Sequence, residues 1–282
     1  MRLSLLILLD LTIGAFAFNL ALPTSHRYST LQATITASVP NRFSREDGLS
    51  IVDTSLLPSE DYGERIKRGK DAQGLDSSTA VSANDPRLML TYGEFPTHST
   101  DALIDLALLH VPPIDGTLEM LDLGSGCGRL VCYFALTRGT REQPWSVHGL
   151  EISDMLTNVA LQAVAAGANE KLFNENVATD SGQNSLALHL GAAEDLTEVL
   201  GRAHLIFAYC TVFKTNGFSE ELGAMILDRQ WSELLANSCR KGCVVITTDR
   251  ALDPQHGWEL LDRLDVDNRE VMGSTGYIQV LR

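Results

Sequence analysis

Short apolar runs and amphipathic stretches alternate along the chain from about residue 99 onward. Runs 118–123, 145–150, 186–190, 204–209 and 244–248 have the length and continuity of strands buried on both faces. Between them, 129–137, 153–166, 193–200, 219–238 and 257–264 carry apolar residues at helical spacing. In 219–238 the apolar side is Leu222, Met225, Ile226, Trp231, Leu234 and Leu235. Upstream, 99–111 predicts an amphipathic helix with Ser99 or Thr100 as its N-cap. The end of the chain reads as two strands, 269–272 and 277–281, joined through Gly273 and Gly276 with no helix between them. Alternating strands and helices imply an α/β sheet covered on both faces. The pattern predicts a Rossmann-like domain over 85–282, with a seven-stranded, mostly parallel sheet closed by an antiparallel C-terminal edge strand.

The first 84 residues follow no such pattern. Residues 1–17 have a basic start at Arg2, an apolar core interrupted by Asp10, and a small-x-small end at Ala15-Phe16-Ala17, as in a signal peptide. The apolar core is too short to span a membrane. Residues 18–45 hold no Asp or Glu and many Ser and Thr, the character of a transit segment. The pair resembles the bipartite presequences of algae with complex plastids; the alternative is a plain secretory signal. Residues 46–84 are polar and aperiodic, and read as a linker or loosely packed arm.

Charge narrows the partners. The chain carries −14, and because the first 45 residues carry +3, the remainder carries −17. So acidic a surface repels phosphate backbones, and direct nucleic-acid binding is not expected. The five cysteines (127, 132, 210, 239 and 243) are odd in number and mostly in apolar runs, so they read as reduced thiols. Cys239 and Cys243 have no two further ligands nearby, and no metal site is expected.

The strongest chemical signal is Leu121-Asp122-Leu123-Gly124-Ser125-Gly126-Cys127-Gly128, a strand running through glycines into a helix. Such a turn brings backbone N–H groups close to a ligand. The dinucleotide fingerprint wants a sixth-position glycine where this chain has Arg129. The spacing with its leading acid instead resembles the first motif of class I S-adenosylmethionine-dependent methyltransferases. That resemblance implies S-adenosylmethionine held by Asp122, Gly124, Ser125, Gly126 and Gly128. Glu151, with Ile152 beside it, closes the second strand, where a carboxylate can accept from both ribose hydroxyls. After the third strand, family members often place an Asp on the adenine amino group. Here that position is Ala192, leaving Glu194, Asp195 or backbone to serve.

Tyr92-Gly93-Glu94-Phe95-Pro96 upstream and Tyr209-Cys210-Thr211-Val212-Phe213 after the fourth strand add a finer likeness. Together they resemble the disruptor-of-telomeric-silencing type of histone-lysine methyltransferase. The resemblance implies that Tyr92 and Glu94 fold over the methionine end of the cofactor. It also implies that Tyr209, Cys210 and Phe213 line the methyl-transfer channel, with a protein lysine or a small molecule as acceptor. The chain departs from that family at Cys210, where the family carries Asn, and in lacking basic chromatin-binding tails. A cofactor-binding protein without turnover and a nicotinamide-dependent oxidoreductase are the competing readings.

Overall fold

A computed structural model describes residues 33–57, 63, 64, 67, 92–175 and 182–282. The strands are β1 Ala33–Val39, β2 Leu118–Leu123, β3 Trp145–Glu151, β4 Asn174–Glu175, β5 Asn184–Leu190, β6 Leu205–Ala208, β7 Thr215–Ser219, β8 Ala224–Leu227, β9 Val244–Thr248, β10 Arg250–Ala251, β11 Trp258–Val266 and β12 Ser274–Leu281. The α-helices are α1 Arg45–Ile51, α2 Thr97–Leu108, α3 Arg129–Thr137, α4 Asp154–Asn169, α5 Thr197–Arg202 and α6 Arg229–Ser238.

The Rossmann-like α/β class is what forms. One sheet runs β11-β12-β9-β6-β2-β3-β5-β1-β4, and its five central strands are parallel. Among the described residues it has nine strands rather than the expected seven, because β1 and β4 extend the β5 side. At the other edge β12 lies antiparallel to β9, and β11 lies antiparallel to β12. Side chains alternate across the sheet as the pleat requires. Met120, Val147, Leu186, Leu188 and Phe207 meet α2, α3 and α4 on one face, while Leu121, Leu150, Ile206 and Val245 meet α5 and α6 on the other.

Three expectations change. Residues 257–264 are not a helix but most of β11, whose bulge between Leu260 and Asp262 breaks strict alternation and mimics helical spacing. Consequently 269–272 is not a strand but the turn joining β11 to β12, with Met272 and Gly273 at positive φ. The long helix over 219–238 is only its second half. Asp228 caps α6 by accepting from Gln230 N–H (2.9 Å), and Gly217 and Gly223, both at positive φ, shape a β7–β8 hairpin before it. That hairpin joins β10 in a separate three-stranded sheet.

The N-terminal boundary also moves. Residues 1–32 and most of 58–91 lie outside the described residues, so the signal segment does too. Within the transit-like segment, however, β1 pairs along its whole length with β5. Its sequence Ala-Thr-Ile-Thr-Ala-Ser-Val alternates small apolar with hydroxyl residues, a period-2 signal that composition alone conceals. The start of the linker-like segment packs as well, since α1 and the π-helical turn Val52–Leu56 bury Val52, Leu56 and Leu57 in the main core.

Candidate functional site

The chain runs from β2 through β3 to β5 on one side, then returns to build β6 and β9 on the other side of β2. Open α/β sheets bind ligands at such a reversal, outside the carboxyl ends of the strands. The glycine loop leaves β2 at that point. Gly124, Gly126 and Gly128 have φ of +81, +55 and +73, and Gly128 starts α3 in the left-handed conformation. Gly124 and Ser125 donate their N–H groups to Leu150 O (2.8 and 3.0 Å), which fastens the loop to the end of β3.

Glu151 completes that fastening. Gly126 N–H donates to its Oε2 and Ser153 N–H to its Oε1, both at 2.8 Å. Burial pushes its carboxyl up against these backbone bonds. An ionised carboxylate offers roughly four lone-pair directions, so the two bonds leave capacity for a ligand hydroxyl. Asp122, the penultimate residue of β2, is buried in the cleft wall. Burial, reinforced by the Glu151 charge, pushes its carboxyl up to about 7.

Over the loop lies segment 92–95. The Tyr92 hydroxyl donates to Glu94 Oε1 (2.6 Å) and lies 2.9 Å from Cys127 Sγ. Its ring sits so close that a Cβ on Gly126 would come within 2.5 Å of it. Phe95 packs edge-on against Tyr209 (5.0 Å between centroids) and beside Phe207 (5.7 Å). With this cover in place the cleft holds about 40 Å³, lined by Asp122, Gly124, Ser125, Gly126 and Tyr209 under Tyr92 and Glu94. The Tyr92 ring thus lies directly on the face of the loop that a ligand would approach. A larger cavity of about 500 Å³ lies between Val39, Arg42 and Arg141, at the opposite end of the sheet from the carboxyl ends.

Four of the sequence-derived site residues stand away from the cleft, together with Ile152 in the turn after β3. Phe207 and Tyr209 point to one side of the sheet, Ala208 and Cys210 to the other. Cys210 is therefore in the second core, its N–H donating to Thr248 Oγ1 (2.9 Å), and burial pushes its thiol up to about 12. Phe213 packs on Trp231 (5.1 Å) in the same core. Both are corrected from channel residues to packing residues. Glu194 and Asp195 lie exposed on a 3₁₀ turn, Ala193–Asp195, outside the cleft lining.

Other cleft neighbours carry no sequence signal. Arg129, in the position the dinucleotide pattern reserves for glycine, is held by both oxygens of Asp53 (3.0 and 3.1 Å) and donates to Thr97 Oγ1 (2.7 Å). Glu270 and Asn268, in the β11–β12 turn, reach Glu94 N–H and the Tyr209 hydroxyl respectively.

The sequence matches no family model and no curated protein. Solved structures of similar fold include magnesium protoporphyrin IX methyltransferase from Synechocystis with bound S-adenosylhomocysteine, at 14% identity and a TM-score of 0.42. That match covers 84% of this chain and all of the other. The rRNA methyltransferase aviRa from Streptomyces viridochromogenes is 17% identical with a TM-score of 0.43, over 74% of this chain and 92% of its own. Aeropyrum pernix fibrillarin with natively bound S-adenosyl-L-methionine is 14% identical with a TM-score of 0.39, over 63% and 74%. The first two are methyltransferases.

The close fit of Tyr92 on the loop makes a first prediction. Gly126→Ala places a methyl 2.5 Å from the Tyr92 ring and an alanine at φ +55, where L-residues cost about 1–2 kcal/mol. Thermal unfolding of this variant is expected to show that loss or more. An unchanged midpoint would mean that neither the left-handed conformation of Gly126 nor the packing of Tyr92 on it holds in solution.

Proposed function

We propose that this chain binds S-adenosylmethionine at the glycine loop and transfers its methyl group to an amine, with a protein lysine favoured over a small molecule. The observation that carries the reading is the charge of the cleft. Asp122 lies within it, Glu94 and Glu270 lie over it, Glu151 sits beneath the loop, and Arg129, which also lines it, pairs with Asp53 and approaches Glu94 (3.8 Å). With Arg129 already shared between Asp53 and Glu94, a pyrophosphate would meet an excess of carboxylates, which disfavours a nicotinamide dinucleotide. A ligand with an ammonium group and a sulfonium is complementary to them.

In this reading Asp122 accepts from the methionine amino group, and Glu151 accepts from the ribose hydroxyls with its spare lone pairs. The loop N–H groups and Tyr92 close the methionine end. The cofactor supplies an activated methyl; the chain supplies alignment, exclusion of water and a cation-tolerant mouth at Tyr209 and Glu270. Transfer forms the bond from the acceptor nitrogen's lone pair to the methyl carbon as the carbon–sulfur bond breaks towards sulfur. The likeness of 92–96 to the disruptor-of-telomeric-silencing type supports a lysine acceptor. The strongly acidic chain does not support nucleosomal DNA as part of that acceptor.

Calorimetric titration of the purified chain with S-adenosylmethionine, S-adenosylhomocysteine and NAD tests the cofactor. Binding of both adenosyl ligands and none of NAD is expected. Binding of NAD alone would sink the proposal in favour of an oxidoreductase. If both adenosyl ligands bind, incubating the chain with methyl-labelled cofactor and lysine-rich proteins tests turnover. Labelled methyl-lysine is expected, and its absence across such proteins and small amines would favour a non-catalytic binding protein.

A further inference from the structure

The cover is tied from the far side of the cleft, by Glu270, a residue outside every motif. Glu94 donates its backbone N–H to Glu270 Oε1 (3.0 Å), and the Tyr209 hydroxyl donates to Glu270 Oε2 (3.2 Å). One carboxylate thus bridges the cover and the wall that follows β6. The fit there is close: a Cβ on Gly93 would come within 2.6 Å of Glu270 Oε2 and 3.1 Å of the Tyr209 ring.

Asn268 fixes the direction of these bonds. It is buried, and its Oδ1 accepts from Glu270 N–H (3.1 Å), which decides which end of the amide is oxygen. Its Nδ2 therefore donates to the Tyr209 hydroxyl (3.0 Å) and to Ser274 Oγ (2.9 Å). With Asn268 able only to donate there, the tyrosine hydrogen is directed at Glu270. The chain Asn268–Tyr209–Glu270–Glu94 is oriented end to end.

We propose that Glu270 is a positioning residue that latches the 92–95 cover over the cleft, that Asn268 and Tyr209 orient the latch, and that cofactor entry requires its release. The proposal rests on the cleft being the S-adenosylmethionine site. In the latched form the Tyr92 ring lies on the Gly126 face of the loop, so ligand entry draws on an unlatched minority, and weakening the latch enlarges it.

Stopped-flow fluorescence of the full chain mixed with S-adenosylhomocysteine tests this. Wild type is expected to show an observed rate that saturates with ligand concentration at the rate of cover opening. Glu270→Ala, which loses the bonds to Glu94 N–H and to the Tyr209 hydroxyl, is expected to raise that plateau about tenfold. Tyr209→Phe, which loses one without changing charge, is expected to raise it about threefold. Glu270 is exposed and Tyr209 half-buried, so thermal midpoints near wild type are expected and separate release of a latch from loss of fold. If wild type binds and both variants bind at its rate, the latch is overturned while the cofactor assignment stands. If wild type does not bind S-adenosylhomocysteine at all, both fall together.

Discussion

Asp122→Asn is expected to make the protein more stable at pH 8 and to weaken its binding of S-adenosylhomocysteine roughly tenfold to a hundredfold. The carboxyl titrates at about 7 in the fold against 3.8 in a free side chain, because burial and the Glu151 charge both oppose its ionised form. A carboxyl raised by folding stabilises the protein while protonated, so that contribution is complete below pH 4. It is lost progressively as pH rises through 7, and above that the fold carries a buried, ionised carboxylate. Three units correspond to about 4 kcal/mol as an upper bound. Asparagine has the same shape and no charge, so thermal unfolding at pH 8 is expected to rise by a few kcal/mol in the variant, with no gain at pH 4.

Binding follows the opposite sign. Holding an ammonium group requires the ionised form, so wild-type affinity is expected to be full above pH 7 and to weaken by up to about tenfold per pH unit below it. Losing a charge-assisted bond costs about 1.5–3 kcal/mol, or roughly tenfold to a hundredfold in affinity at pH 8. A variant that is stabilised yet binds normally would remove Asp122 from the site. The combination of gained stability and lost binding is the mark of strain kept for function.

How much of this was legible in the sequence depended on whether local pattern matched local structure. β2, α3, β3 and β9 are nearly as the periodicity predicts, because they are central and wholly buried, where apolar runs are unambiguous. Asp122 and Glu151 follow, since each ends one of these strands. Tyr209 was legible for the same reason, but Cys210 was not. Neighbours on an extended segment face opposite ways, and proximity in sequence placed both in one channel. Glu270 and Asn268 were lost when the bulge in β11 disguised a strand as a helix and turned their loop into a strand. No short-range signal marks them, because their partners Glu94 and Tyr209 are 176 and 59 residues away. β1 was hidden differently: its hydroxyl-rich, acid-free sequence has the composition of a targeting segment and the period of an edge strand.

Glu151→Ala is the change expected to damage both fold and binding. Two features that sequence presents separately, the glycine loop and the acid 25 residues beyond Gly126, are joined in space by that carboxylate. Without it, Gly126 and Ser153 N–H lose their acceptor at the buried loop–strand junction, at about 1–3 kcal/mol each. Part of this is offset, because the charge that helps raise Asp122 is removed too. A net loss of about 1–4 kcal/mol in unfolding free energy is therefore expected. S-adenosylhomocysteine affinity is expected to fall at least tenfold, from the lost ribose acceptor and from a loop no longer held at its binding geometry. Glu151→Gln discriminates tethering from simple space filling: its carbonyl satisfies one N–H while its NH₂ is brought against the other. Glutamine is thus expected to behave more like alanine than like wild type in both thermal unfolding and calorimetry. Wild-type stability and affinity in the glutamine variant would mean that shape alone is required at this position, and that the ribose is held elsewhere.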